Sequence, residues 1–217
     1  MESIAPDLTA LAPEIWLVAT ILVTVVADLL VGKKGSTVVG VLALIGVGVA
    51  LETLIGGMGA RADDPRVFGL LLSDGYSEFF RALIIGGTGL IILHGLVFRG
   101  MEDVSRNEFV PMILGTALGG CLLVSTDNLI MLLLSMELLS LNSYLLAAWQ
   151  RKERRSSEAA MKYLVYGALA SAIMTFGFSL LYGLSGSLNM SDIGRAVSEA
   201  WSAPTGELTS QIAVVFA

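Results

Sequence analysis

Long apolar segments separated by short polar connections dominate the pattern of the chain. Six segments reach the length that a helix needs to cross a bilayer, which is about 20 residues with a range of roughly 17–25. They cover residues 15–31, 38–55, 82–98, 109–125, 129–149 and 163–184. Apolar and polar residues do not alternate in them, as they would in the strands of a membrane β-barrel. The pattern therefore predicts an all-α, polytopic bundle of six complete transmembrane helices.

Beyond the sixth segment the pattern changes twice. A polar, weakly amphipathic stretch covers residues 190–201, and a new apolar run then starts at Gln211 and continues to Ala217. The run is interpreted as the start of a seventh transmembrane helix in a chain that is truncated. The alternative is a short apolar tail.

Composition supports a membrane protein. Hydrophobic residues make up 55% of the 217 residues and charged residues only 15%, with a mean hydropathy of +0.78. Soluble domains carry about 25% charged residues, so a water-soluble globule, a coiled coil and a disordered chain are disfavoured. With a net charge of −6 and no basic patch, no nucleic-acid partner is expected. One cysteine, Cys121, and one histidine cannot build a disulfide or a cysteine–histidine metal site.

The distribution of Lys and Arg predicts the orientation. Nine of these residues lie in or beside the connections after the first, third and fifth segments. Four lie in or beside the connections after the second, fourth and sixth segments. Positive residues favour the cytoplasmic side of a membrane. The basic connection at Arg154 and Arg155 is therefore predicted to be cytoplasmic, and the N-terminus to lie outside.

Small residues at a spacing of four predict close helix packing. Gly115 and Gly119 lie in the fourth segment, and Gly167, Ser171 and Thr175 follow one narrow face of the sixth. Such faces let helices approach closely in lipid. They indicate a tightly packed bundle and no particular function.

One carboxyl lies far from either end of its segment. Glu137 is in the fifth segment, about 12 Å from one end and about 18 Å from the other at 1.5 Å per residue. Ser140, Tyr144 and Arg151 fall within about 60° of it on the same helical face. Burial favours the neutral acid and a nearby cation favours the carboxylate, so such a site can load and release a proton. The alternative is a protonated carboxyl with a purely structural role.

The other polar candidates have simpler interpretations. Lys162 is expected to pair with Glu158 at i,i+4 or to extend to the membrane interface. The alternative is that it faces inward and couples electrostatically to the polar stripe, which is the face of the fifth segment that carries Glu137 and the three residues named with it. Asp127 and Asn128 lie in a turn, where helix capping is expected.

The residues from 125 to 187 resemble a known family. The matching motifs are STDNL at 125–129, ELLSLNSYLLA at 137–147, EAAMKY at 158–163 and LYGLSGS at 181–187. They resemble the antiporter-like subunit N of proton-pumping NADH:quinone oxidoreductase (respiratory complex I), which is called subunit 2 in mitochondria and chloroplasts. Subunits L and M and the Mrp antiporters usually have Trp before the shared glutamate. Met136 stands there in this chain, which favours subunit N.

The resemblance implies an antiporter-like fold, which in the family has fourteen helices in two inverted repeats with additional helices. It implies that Glu137 is the essential glutamate of the fifth helix and that Lys162 is the lysine that opens the sixth. The family also uses a lysine in a broken seventh helix, which has no counterpart up to Ala217. One departure is Asn142, where many members have Pro. The local kink that such a proline would produce is therefore not predicted for this chain, and the assignment is unchanged.

The same resemblance implies the domains and the function. Residues 1–108 would form N-terminal helices 1–3, and residues 109–217 the start of the proton-translocation domain. The subunit would couple electron transfer from NADH to quinone with proton pumping, with Glu137 and Lys162 as the main residues and Ser140 and Tyr144 on the proton path. It would hold no cofactor itself: NAD, FMN, iron–sulfur clusters and quinone are expected in partner subunits. A bacterial plasma membrane is the expected location, with other membrane-arm subunits as partners.

Three alternative functions are compared with this one. The first is a subunit of an Mrp-type cation/proton antiporter or of a hydrogenase-linked paralogue. The second is a seven-helix receptor or retinal protein, but no Lys follows Lys162 to bind retinal in a seventh helix. A merely structural bundle is disfavoured by the central position of Glu137.

Overall fold

The computed structural model describes residues 8–31, 36–57, 66–97, 106–150 and 153–202. In chain order the elements are α1 (Ala12–Val31), α2 (Ser36–Gly57), β1 (Arg66–Val67), β2 (Leu71–Leu72), α3 (Gly75–Val97), α4 (Arg106–Val124), α5 (Leu129–Ala147), α6 (Arg154–Ser185) and α7 (Met190–Ser202).

All six predicted membrane segments are helical. Among the described residues, five helices are long and apolar enough to cross a membrane, namely α1, α2, α3, α5 and α6. The sixth, α4, has a shorter apolar part, Glu108–Val124. The predicted all-α transmembrane bundle is thus confirmed. The apolar run from Gln211 lies outside the described residues.

The first four helices form the packed centre of the molecule. α1 and α3 each pack against both α2 and α4, α5 packs on α4, and α6 packs on α5. The largest cluster of buried apolar residues comes from α1–α4: Leu17, Val39, Ala43, Val47, Ala50, Leu54, Ile85, Ile92, Val110, Ile113, Leu114 and Cys121. Because this core includes α4, it continues across the predicted domain boundary at residue 108, and that boundary stays a prediction.

Glycines of α4 allow α5 to approach closely. A Cβ at Gly119 would lie 2.8 Å from the backbone nitrogen of Leu139, and one at Gly115 would lie 2.7 Å from Oδ1 of Asn142. A larger residue at position 119 would push the two helices apart, and one at position 115 would displace the Asn142 side chain. The predicted packing role of this glycine pair is therefore confirmed.

Three connections meet at one end of the bundle. The short hairpin pairs Val67 with Leu71, and Leu71 forms a bridge to Thr126 in the connection after α4. The backbone N–H of Met190 donates to the carbonyl of Asp127 over 2.8 Å, which joins the connection after α6. Consecutive helices from α3 to α6 therefore run in opposite directions. Which end faces the cytoplasm stays a prediction.

Two helices begin well before the predicted segments. α3 starts at Gly75 because Ser77 and Asp74 cap it reciprocally: the Ser77 N–H donates to Asp74 Oδ1 over 2.8 Å, and the Asp74 N–H donates to Ser77 Oγ over 3.0 Å. α6 starts at Arg154, and its 32 residues span about 48 Å. Both extensions are polar helical turns that precede the apolar residues, so hydropathy alone does not detect them.

Candidate functional site

The start of α5 is determined by a side-chain cap. Oδ1 of Asn128 accepts hydrogen bonds from the backbone N–H groups of Ile130 (3.0 Å) and Met131 (3.4 Å). Its Nδ2 donates to Oδ1 of Asn189 over 3.2 Å, which ties the helix to the connection after α6. The predicted capping role of Asn128 is confirmed, and the cap sets the register of the polar residues that follow along α5.

Glu137 lies near the middle of α5, about 12 Å from Leu129 and about 15 Å from Ala147. The residue is half-buried. Its carboxylate forms no ion pair within the described ranges. A carboxyl group at such a depth is costly, and this position makes Glu137 a candidate functional residue.

Two further residues of the predicted stripe lie on the same face. Ser140 is half-buried, and Tyr144 is buried with 8% of its surface exposed. The ring of Tyr144 meets that of Tyr163 on α6 edge to face, with centroids 4.8 Å apart and planes at 88°. The stripe thus leads from Glu137 into the interface between α5 and α6. Arg151, the last predicted member, lies outside the described residues.

Lys162 lies on an exposed face of α6. Its Nζ donates to Oε1 of Glu158 over 2.6 Å, and the two side chains are 66% and 58% exposed. Tyr163 faces α5, and the preceding residue is rotated by about 100° around the helix. For this reason the structure brings Lys162 to Glu158, as one of the two expectations had it, and not to Glu137.

The small residues of α6 also differ in whether they face α5. A Cβ at Gly167 would overlap with Oη of Tyr144 and lie 2.7 Å from its Cζ, so this glycine allows the close contact that was predicted. Thr175 is exposed, and its hydroxyl donates to the carbonyl of Ser171 in its own helix over 2.7 Å. Within the described chain Thr175 is exposed, so its part in a packing face stays a prediction.

A buried ion pair between α1 and α3 was not predicted. Nη2 of Arg81 donates to Oε2 of Glu14 and, over 3.0 Å, to the carbonyl of Ala10. Glu14 is 5% exposed and Arg81 3%. The sequence signal was the presence of opposite charges at the ends of the first and third segments that lie on the same predicted side. In the sequence Arg81 directly precedes the third apolar segment, whereas α3 begins six residues earlier and buries it.

The described residues offer no ready site for a metal or cluster. No group of three or more His, Cys, Asp or Glu side chains comes together in them. Cys121 is a buried free thiol in the core. The donor set of this part of the chain therefore does not fit an iron–sulfur cluster, which is usually held by four thiolates.

Comparison with known families and proteins supports the resemblance read from the motifs. A family model described as "NADH:quinone oxidoreductase/Mrp antiporter, TM" matches residues 126–217. NAD(P)H-quinone oxidoreductase subunit 2 of Gloeobacter violaceus is 36% identical over 174 residues, which are 80% of this chain and 34% of the relative. NADH-quinone oxidoreductase subunit N of Rhodospirillum rubrum is 34% identical over 206 residues, which are 94% of this chain and 41% of the relative. The chain thus spans about a third to two fifths of the length of these relatives.

Solved structures share the fold. A chain of the respiratory complex I from Thermus thermophilus superposes with a TM-score of 0.68 at 28% identity, over 93% of this chain and 46% of that one. A chain of the archaeal membrane-bound sulfane sulfur reductase gives a TM-score of 0.66 at 21% identity, which shows the fold alone.

The fold is that of a polytopic membrane protein and matches the antiporter-like subunits of complex I. Within this class, the resemblance to subunit N of NADH:quinone oxidoreductase, also called subunit 2, is confirmed for the part of that subunit that the chain spans.

Proposed function

We propose that this chain is part of the proton-translocating, antiporter-like subunit of an NADH:quinone oxidoreductase. The observation that carries the proposal is the half-buried Glu137 in the middle of α5, followed on the same face by Ser140 and the buried Tyr144. The names of the curated relatives support the assignment to this enzyme. The proposed location is a bacterial plasma membrane, with the N-terminus outside.

Glu137 is the proton carrier in this proposal. Its carboxylate takes up one proton from one side of the membrane and releases the same proton toward the other, so the residue returns to its starting state in each cycle. A cation that approaches favours the carboxylate and expels the proton, and a cation that withdraws favours the neutral acid. The hydroxyls of Ser140 and Tyr144 can each accept and donate a hydrogen bond along the way.

Lys162 supplies a positive charge at the other helix of this interface. The neighbouring Tyr163 contacts Tyr144, so a rotation of α6 would change the distance between the Lys162 ammonium and the stripe. In the described structure the ammonium pairs with Glu158 in an exposed position. Release from that pair is the proposed step that lets Lys162 act on the α5 residues.

The redox chemistry belongs to partner subunits in this proposal. NAD, FMN, iron–sulfur clusters and quinone would be bound there, and they would supply the electron transfer that drives the proton cycle. The partners of this chain are the other membrane-arm subunits and the surrounding lipid. The enzyme as a whole is then a translocase in which this subunit performs no redox step.

An Mrp-type antiporter subunit or a hydrogenase-linked paralogue is the alternative function, because the description of the matching family model includes Mrp antiporters. Purification of the tagged full-length protein from its native membrane separates the two. Co-purifying NADH dehydrogenase subunits would support the proposal, and co-purifying antiporter or hydrogenase subunits would favour the alternative.

The substitution Glu137→Gln tests the role of the carboxyl. The amide keeps the shape but cannot ionise, so we expect normal assembly with strongly reduced NADH-driven proton uptake in inverted membrane vesicles. Quinone reduction falls as well if the two processes are tightly coupled. Glu137→Asp, which keeps the acid on a shorter stem, is expected to be milder.

The matched control for this experiment is Glu199→Gln, an exposed carboxyl of α7. It should leave proton uptake and NADH oxidation unchanged. Assembled Glu137→Gln enzyme with wild-type pumping and turnover would show that Glu137 is only structural.

A further inference from the structure

The contact between α5 and α6 depends on few residues. In α6 as the structure describes it, Gly177 alone is buried, although the helix has 32 residues. Near its start, Tyr163 and Gly167 lie one turn apart on the same face, and both contact Tyr144 of α5. This face is therefore the place where the position of α6 is transmitted to the predicted proton path.

Gly167 determines where the Tyr144 hydroxyl lies. The missing side chain leaves room for the phenol: a Cβ would overlap with Oη, lie 2.7 Å from Cζ and lie 3.0 Å from Cε1. Carbon atoms do not approach so closely without displacement of one of them. Any L-residue other than glycine must therefore move the Tyr144 ring or separate the two helices.

Tyr163 contacts the same ring. The edge-to-face contact, with centroids 4.8 Å apart, leaves the ring little freedom to rotate away from Gly167. Tyr144 is buried with 8% exposure, so solvent offers no alternative position for its hydroxyl. Tyr163 and Gly167 thus form a slot, defined here as the Tyr144 slot, that fixes the polar tip of the side chain against α6.

We propose that Gly167 is a positioning residue for proton transfer, which acts by holding the Tyr144 hydroxyl in this slot between α5 and α6. The inference rests on the proposed function, in which Tyr144 continues the path from Glu137. A hydroxyl that both accepts and donates relays a proton only when both hydrogen-bonding directions are maintained. A displacement of its oxygen by one methyl group interrupts that geometry, while the Glu137 carboxyl itself is untouched.

The test compares two alanine substitutions in the same helix. Gly167→Ala fills the Tyr144 slot, whereas a Cβ at Gly183 meets no described residue within 4 Å, so Gly183→Ala is the matched control. Both changes raise helix propensity equally. The measurement is the number of protons translocated per NADH oxidised, in vesicles that contain the complete enzyme in verified amounts. We expect a several-fold lower ratio for Gly167→Ala and a wild-type ratio for Gly183→Ala.

A third variant separates positioning from general packing. Tyr144→Phe removes Oη, the atom with the worst overlap, so Gly167→Ala should cost much less in the Tyr144→Phe background than in the wild type. Equal costs in both backgrounds would overturn the positioning role. Gly167→Ala that fails to assemble in both backgrounds would do the same, because the effect would then be one of helix packing.

Different results would contradict the proposed function and the role of Gly167. If Glu137→Gln pumps normally, the proposed function is wrong. If Glu137→Gln is inactive while Gly167→Ala pumps as well as Gly183→Ala, the function stands and the role of Gly167 is wrong.

Discussion

At the scale of single residues, two carboxyls in membrane helices have opposite surroundings. Glu14 is buried and neutralised by Arg81, so a change of its protonation state would leave a buried cation unpaired. Glu137 is half-buried and has no cation beside it in the portion of the chain that the structure describes. The Glu14 carboxyl is suited to a structural role, and the Glu137 carboxyl is the candidate for the proposed proton transfer.

The Glu14–Arg81 pair predicts a specific pattern of stability. Arg81→Met should lower the free energy of unfolding by about 3–5 kcal/mol, because it leaves the Glu14 carboxylate buried without a counter-ion. The double variant with Glu14→Leu removes both charges and should recover most of this loss. Thermal unfolding of the full-length protein in detergent measures both effects, and a double variant as unstable as the single one would contradict the account.

The contact between Glu14 and Arg81 could not be predicted from the sequence alone. The order of the apolar segments along the chain predicts that residues 14 and 81 lie on the same side of the membrane. Only the packing of α1 and α3 around the shared core places them in contact. The depth of Glu137 followed from helix geometry alone, as did the common face of Ser140 and Tyr144. The outward position of Lys162 depended on which face of α6 meets α5, and no periodicity in this mostly apolar helix indicates that.

At the scale of elements, α6 differs from the helices of the core. Its first nine residues, 154–162, are mostly polar, precede the predicted membrane segment and carry the exposed Lys162–Glu158 pair. α5 and α6 are joined by the Tyr144 contacts and by the close fit at Gly167. These contacts are the means by which a movement of α6 would reach the residues of α5.

The polar start of α6 allows the two roles of Lys162 to be separated. An exposed i,i+4 pair contributes about 0.3–0.5 kcal/mol, so loss of the pair alone should hardly change stability. Glu158→Gln removes the pair and keeps the lysine, and it should leave proton pumping near wild type. Lys162→Met removes the charge that is proposed to act on α5, and it should lower pumping in the same vesicle assay. Equal pumping by the two variants would mean that Lys162 has no role beyond the pair.

At the scale of the whole molecule, the connections after α2, α4 and α6 meet at one end and fix the alternation of the helices. The distribution of basic residues then predicts which end is cytoplasmic. The fold class followed from hydropathy because each membrane helix must satisfy its own backbone hydrogen bonds. The packing order, in which α4 is the core helix that α5 contacts, depends on side-chain fit and was not predictable from the pattern.

Cysteine labelling tests this orientation. In a Cys121→Ala background, a cysteine at Arg154 should react with a membrane-impermeant reagent only from the cytoplasmic side, because the connection before α6 is predicted to be cytoplasmic. A cysteine at the exposed Ser191, at the other end of α6, should react only from outside. The reverse pattern would invert the predicted topology.

The most direct measurement of the central claim is infrared difference spectroscopy of the complete enzyme during turnover. If Glu137 gains and loses a proton, the wild-type spectrum contains a carboxylic C=O band that changes between the two states of the cycle. That band should be missing in Glu137→Gln and retained in the Glu199→Gln control. A difference band that persists unchanged in the assembled Glu137→Gln enzyme would contradict the assignment of Glu137 as the proton carrier.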